Sequence, residues 1–446
     1  MTTPTRDLAR VLRFPDLIFI VIGTVIGSGI FLVPGGVLRD SGGDVGVALA
    51  VWLLGGILSL LGALTYGELG AMDPQAGGIY VYLRDAFGRL PAFLYGWALF
   101  FVIGSGSVAT LAAAFARYVQ QFYPLGPWGA KLVAVGMIAV VAFVNVRGTR
   151  RGADVQNWST AIKTAALLVL SVLLLALGRH LGGVGGGTPE VAWFSKPITG
   201  QVIAGAGVAL VAVLWAYEGW HYVTFSAGET LNPQRDFARG IVLGTLAVIV
   251  VYLVANLAYV AALGPAGVMT STRVAADAMH TLFGEPWGQL VTIPILISIF
   301  GAANGIALTE PRVFYAMAKD GVFFQTLARV HPRYGTPAVA IVASAAWSAL
   351  LAASGTFEQL LTYVVFAGWA FYALAAASIF VYRRRRPDAP RPFRTPGYPL
   401  TPVLFIVVSA AIVVNTLITQ PKQALLGLGI ILLGTPAFLW WRKRSA

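Results

Sequence analysis

No cysteine occurs in the 446 residues, which removes disulfides, thiolate metal sites and covalent haem attachment together and leaves the redox compartment unreadable. Charge is scarce: Asp, Glu, Lys and Arg make up 11% of the chain, where a soluble domain carries about 25%. Four histidines, His180, His221, His280 and His331, stand apart without metal-ligand spacing, so no metal is expected. No Gly-x-x-x-x-Gly-Lys-Ser/Thr occurs, so this chain does not draw on ATP by a Walker loop. The loops are short and hold no cluster of Asp, His or Ser, which argues against a membrane-embedded enzyme and against a cofactor. Nothing resembles a selectivity filter or a repeated pore ring. Ten-residue strands of alternating polarity, the mark of an outer-membrane barrel, are also missing.

Apolar sequence is what the chain has. At 57% hydrophobic residues with positive mean hydropathy, it is expected to be an all-α integral membrane protein. Stretches of about 20 apolar residues, the length that crosses a bilayer as a helix, predict twelve transmembrane helices. They are Leu17–Leu38, Val45–Tyr66, Phe93–Phe115, Trp128–Val146, Trp158–Leu177, Val202–Phe225, Ile241–Leu263, Leu290–Leu308, Pro337–Ser354, Leu360–Tyr382, Val403–Leu417 and Ala424–Trp441. The first exceeds a signal-peptide core and is followed by no small-residue cleavage site, so it is expected to be retained.

The formal net charge of +13 is distributed as membrane topology requires. With the N-terminus placed in the cytoplasm, most of the 31 Lys and Arg fall on the inner side, among them Arg6, Arg10, Arg13, Arg84, Arg89, Arg147, Arg150, Arg151 and the run Arg383 to Arg386. The outer side keeps few, such as Arg39, Arg117 and Lys131. This asymmetry predicts cytoplasmic termini in a cell (inner) membrane and argues against nucleic acid as the partner of the positive charge. The arginine run is expected to anchor orientation, with lipid headgroups as an additional partner.

Two spans carry defects. Gly27-Ser28-Gly29 interrupts the first, and Trp215-Ala216-Tyr217-Glu218-Gly219-Trp220 places a glycine and a carboxylate inside the sixth. Freed backbone groups survive at that depth only where they are buried in protein or line a polar cavity. Paired defects about 190 residues apart, at matching places in two halves, point to a transported solute. Spans one to five and six to ten then form two repeats; because five is odd, the second runs inverted. The expected divisions are a tail at 1–16, a first repeat at 17–179, an outer connector at 180–200, a second repeat at 201–386, and two accessory helices with a tail at 387–446. The inner connectors at 72–90 and 231–239 suit short amphipathic segments.

Opened helix ends offer N–H groups on one side and C=O groups on the other, with matching partial charges. An α-amino acid complements both. Its carboxylate would take the amides of Gly27, Ser28 and Gly29 and the Ser28 hydroxyl, and its ammonium the carbonyls near Val25, Trp215 and Glu218. The Trp215 indole would close over the substrate as a gate. Glu218 either lines the pocket and selects substrate or pairs structurally. Lys163, near the start of the fifth span, is costly in a membrane and therefore paired or functional unless it reaches the inner headgroups. Glu68 and Glu310, at cytoplasmic span ends, read as interfacial, and Asn304 as a bridge between helices.

Gly23-Thr24-Val25-Ile26-Gly27-Ser28-Gly29-Ile30-Phe31 resembles the first-span signature of the amino acid–polyamine–organocation superfamily. The segments Gly62 to Gly70, Gly77 to Leu83, Asn232 to Arg235 and Arg312 to Gly321 extend the likeness in order, and Trp215 to Trp220 resembles the L-amino-acid transporter branch, including its bacterial exchangers. The resemblance implies a leucine-transporter-type 5+5 inverted-repeat fold with helices 1 and 6 broken, and sodium-independent amino acid transport by exchange or, alternatively, proton symport. It also implies that Lys163 stands where related folds hold sodium, with acceptors expected near Gly23 to Ile26 and Phe300 to Asn304. Animal members of the branch attach a heavy subunit by a disulfide from the loop between spans three and four; without cysteine, no such partner is expected here.

Overall fold

A computed structural model of the chain describes residues 8–181, 191, 193–195, 197, 199–354, 357–419 and 421–445, with backbone only at 357–367, 423 and 443–445. Among these residues the fold is helical throughout; the one extended pairing is an isolated bridge between Leu12 and Thr230. Ten helical segments are long and apolar enough to cross a membrane, and the Ala338–Ser354 helix is a shorter apolar one. The chain is thus a multi-pass membrane protein. Of the connector expected at 180–200, residues 182–190, 192, 196 and 198 lie outside the described set, as do residues 1–7 of the tail.

Burial separates an inner shell from an outer one. The apolar windows of Phe14–Leu32 and Arg89–Val119 are each 78% buried, against 28% for Pro127–Val146 and for Ala424–Arg442, so the first pair is wrapped by protein while the second pair faces outward. Lipid supplies no hydrophobic drive between helices, and close approach through small residues replaces it. Gly240 and Gly244, one turn apart on the Pro233–Thr270 helix, make room for Leu17 and Val21 of the first helix: a Cβ at either glycine would lie 2.7 Å from those side chains. Gly56 does the same for Ile249 where the Val45–Met72 and Pro233–Thr270 helices pack.

Three elements differ from the expectation. The 231–239 connector is not a separate segment but the opening of the 38-residue helix Pro233–Thr270, started by Asn232, whose carbonyl accepts from Asp236 N at 2.9 Å, and by Pro233 in the first turn. That helix bends at Gly264, which adopts φ 67° ahead of Pro265, close to the expected end of the apolar run. The third transmembrane segment contains a π-helical turn at Leu99–Ile103, just before Gly104. The 72–90 connector does carry a short helix, Ile79–Phe87. On the opposite face, the Asp44 carboxylate caps its helix through Val47 N at 3.0 Å and accepts from Phe194 N and Ser195 N at 3.1 and 2.9 Å. Burial works against that charge, but the amide donors outweigh it and hold the carboxyl below its ordinary value.

Candidate functional site

The first helix, Phe14–Val25, stops in the glycine-rich run, and α-helix resumes only at Gly29–Leu32. In the second defect the Gly200–Ala216 helix gives way to a turn at 217–219 and then to the 3₁₀ segment Trp220–Glu229. Gly219 sits at φ 125°, where a side chain is strained, and a Cβ there would lie 2.9 Å from the Thr24 carbonyl carbon. A Cβ on Gly29 would lie 2.8 Å from Ala216 Cα. Glycine on each side therefore lets the two irregular segments touch backbone to backbone.

The ends are held by side chains from other helices. Lys163, on the Thr149–Leu177 helix, is 2% exposed, and its Nζ donates to Gly23 O at 2.6 Å, Ile26 O at 2.5 Å and Ser298 O at 3.2 Å. An ammonium has three N–H donors, so this set consumes all of them. The reach to the inner headgroups is excluded by that burial, and the third partner is Ser298 rather than a group at 300–304. The Ser298 hydroxyl lies 2.9 Å from Ile26 O and 3.1 Å from Gly27 O. Tyr252 joins the two irregular segments directly: its hydroxyl lies 3.0 Å from Val25 O and 2.9 Å from Ala216 O. One hydroxyl proton serves one carbonyl at a time, and Val25 O has a second donor in Gly27 N.

A small cavity of about 40 Å³ lies between the segments, and its lining includes Val25, Gly27, Ser28, Gly29, Trp215 and Glu218 together with Thr24, Thr110 and Tyr222. One water needs about 10–15 Å³ of such space, so the cavity holds a few waters and an amino acid enters only when a wall moves. The amide of Gly27 is engaged within the turn, donating to Val25 O at 2.8 Å. The Ser28 Oγ and Thr110 Oγ1 are buried without a hydrogen-bond partner, which is costly unless a guest supplies one. Glu218 accepts from the Tyr372 hydroxyl at 2.5 Å, with His221 Nε2 at 3.8 Å.

Beyond the cavity, Asn304 bridges three partners: it donates to Gly152 O at 3.1 Å and Gln156 Oε1 at 2.9 Å and accepts from Asn145 Nδ2 at 2.9 Å. Glu68 and Glu310, at their span ends, are covered by protein rather than open to solvent. Glu68 is fully buried and takes a two-pronged contact from Arg383, at 2.8 and 2.7 Å, plus Thr395 N at 2.6 Å. Glu310 is 2% exposed, and its Oε1 has no hydrogen-bond partner. Hydropathy locates a span end without showing that neighbouring helices cover it. A further buried pair, Arg312 Nε to Glu229 Oε2 at 2.5 Å, ties the 3₁₀ segment to the Pro311–Lys319 helix. Tyr252, Ser298 and Tyr372 carry no motif; their only sequence signal is a lone hydroxyl in mid-span, which apolar helices contain for many reasons.

Multi-pass helices enclosing two opposed irregular segments, cross-braced by a buried lysine, define a helical membrane transporter. The amino acid permease family pattern matches residues 12–438, and the chain belongs to that family. Over 450 residues, all of this chain and all of the relative, it is 32% identical to the serine/threonine exchanger SteT of Bacillus subtilis. It is also 32% identical over 439 residues to the human large neutral amino acids transporter small subunit 2, covering 95% of this chain and 79% of the relative. To the human cystine/glutamate transporter it is 31% identical over 437 residues, covering 95% and 84%. The branch and bacterial character expected from the Trp215 to Trp220 segment agree with these relatives.

Proposed function

We propose that the chain is a sodium-independent amino acid exchanger of a bacterial inner membrane, working by alternating access with both termini in the cytoplasm. The observation that carries the reading is the pair of touching irregular segments with Lys163 bound across one of them. Twelve spans arranged as inverted repeats, 17–179 and 201–386, with accessory helices at 387–446, would bring those segments together on a pseudo-two-fold axis. Ser28 and the amides of Ser28 and Gly29 would hold the substrate carboxylate. The ammonium would compete with Tyr252 for the carbonyls of Val25 and Ala216, near Trp215, whose indole would swing to admit and cover the substrate. Lys163 would supply a fixed positive charge where a sodium ion would otherwise be needed. The names of the relatives, a serine/threonine exchanger among them, support small neutral amino acids as the first substrates to try. A heavy subunit is not required, since no cysteine is present to tether one.

Competition against labelled serine in proteoliposomes tests the site. Serine methyl ester and N-acetylserine each lack one charge, and each lost charge-assisted bond is worth about 1.5–3 kcal/mol, so both should compete at least tenfold more weakly than serine. Equal competition would remove the site assignment.

One observation favours a second reading, proton-coupled symport: the buried, unpartnered Oε1 of Glu310 is a candidate proton-carrying group. Serine accumulation in empty liposomes under external acid, abolished by a protonophore and by Glu310→Gln, would support symport over exchange.

A further inference from the structure

A second, roomier cavity lies away from the central site. It measures about 600 Å³ and is lined by Phe87, Arg89, Leu90, Val322, Phe438 and Arg442, where the start of the Arg89–Ala98 helix meets the end of the Pro421–Ser445 helix. Arg89 and Arg442 are both exposed, and neither has an ion-pair or hydrogen-bond partner among the described residues. The remaining named walls are apolar, and Phe87 and Leu90 are each 37% exposed. Asp320 also borders the cavity, but its carboxylate is already engaged by Arg84 at 2.9 Å and the Tyr80 hydroxyl at 2.8 Å, so it does not neutralise the two arginines.

Depth identifies the occupant. Next to the cavity, Trp441 packs on Phe93, Phe323 and Phe324, and Trp440 and Phe324 are 47% and 54% exposed. Exposed aromatic rings gather at the headgroup level of a bilayer. A basic pair above an apolar hollow at that level matches a phosphate headgroup with its acyl chain below, and guanidinium groups bind phosphate in a two-pronged fashion. A soluble anion would use the arginines but leave the apolar walls bare.

We infer that this cavity is a binding site for one anionic phospholipid of the adjoining leaflet, its phosphate held by Arg89 and Arg442.

Native mass spectrometry of the detergent-purified full chain, titrated with phosphatidylglycerol or phosphatidylcholine, tests this. The parent protein should retain phosphatidylglycerol at least about fivefold better than phosphatidylcholine, and the double variant R89Q/R442Q should lose that preference. R89K/R442K should keep part of it, and Arg235→Gln, an exposed arginine outside the cavity, should keep all of it. Equal retention of the two lipids by the parent, or the same loss in Arg235→Gln as in the double variant, would overturn the proposal. Displacement of the lipid by millimolar inorganic phosphate would overturn it in favour of a soluble-anion site. If R89Q/R442Q does not fold, the single variant R442Q and the two-lipid comparison on the parent decide the matter.

Discussion

Lys163→Ala should lower serine exchange in proteoliposomes by more than about tenfold while leaving the protein in the membrane. The substitution leaves Gly23 O without the ammonium 2.6 Å away and reduces Ile26 O to its contact with Ser298. A buried acceptor stripped of its partner costs about 1–3 kcal/mol, and 1.4 kcal/mol corresponds to tenfold. Two such losses at the irregular segment would redistribute the states that alternate during transport. Lys163→Arg should not rescue: a Cβ placed on Gly301 would already lie 3.3 Å from Nζ, so the site has little room for a planar guanidinium. Exchange in Lys163→Ala at the parental rate would show that the lysine is only a packing element.

The second large effect concerns contact between the irregular segments. Gly29→Ala puts a methyl group 2.8 Å from both Cα and Cβ of Ala216, and backbone cannot swing aside as a flexible side chain does. Overpacking of this kind costs about 1–3 kcal/mol. Here it acts on the lining of the cavity itself, so exchange should fall to background even where the protein still purifies. Gly136→Ala is the matched control. Nothing lies within 4 Å of a Cβ there, and alanine is the better helix former by about 1 kcal/mol, so transport and the melting midpoint followed by tryptophan fluorescence should be preserved. Parental exchange in Gly29→Ala would mean that the segments do not pack this closely during transport.

Much of this was legible because membrane helices obey a simple rule: an apolar stretch of sufficient length crosses, and a glycine run or a charge within it needs a reason. That rule sufficed for the all-helical, multi-pass character and ten of the twelve expected spans, for the irregular backbone near Gly27 and Gly219, and for Lys163 as a residue requiring acceptors. It did not extend to tertiary partners. Ser298 stands only two residues ahead of the segment expected to meet Lys163, yet helical phase, rather than proximity along the chain, decides which carbonyl faces the ammonium. Tyr252 joins Val25 to Ala216 although it belongs to neither segment, and a lone tyrosine in an apolar helix has no pattern to betray it. The protein cover over Glu68 and Glu310 was illegible for a related reason. Whether a carboxylate at a span end meets water or Arg383 depends on a helix more than 300 residues away in the case of Glu68. The long helix opening at Pro233 shows the reverse limit: helical structure continues past the apolar run that announces it.

If amino acid binds between the two irregular segments and is exchanged without sodium, uptake of radiolabelled serine into proteoliposomes in choline medium depends on unlabelled serine inside. Loaded vesicles should take up label many-fold faster than empty ones, with the rate unchanged when sodium replaces choline. Uptake that appears only with sodium, or that proceeds equally in loaded and empty vesicles, would contradict sodium-independent exchange.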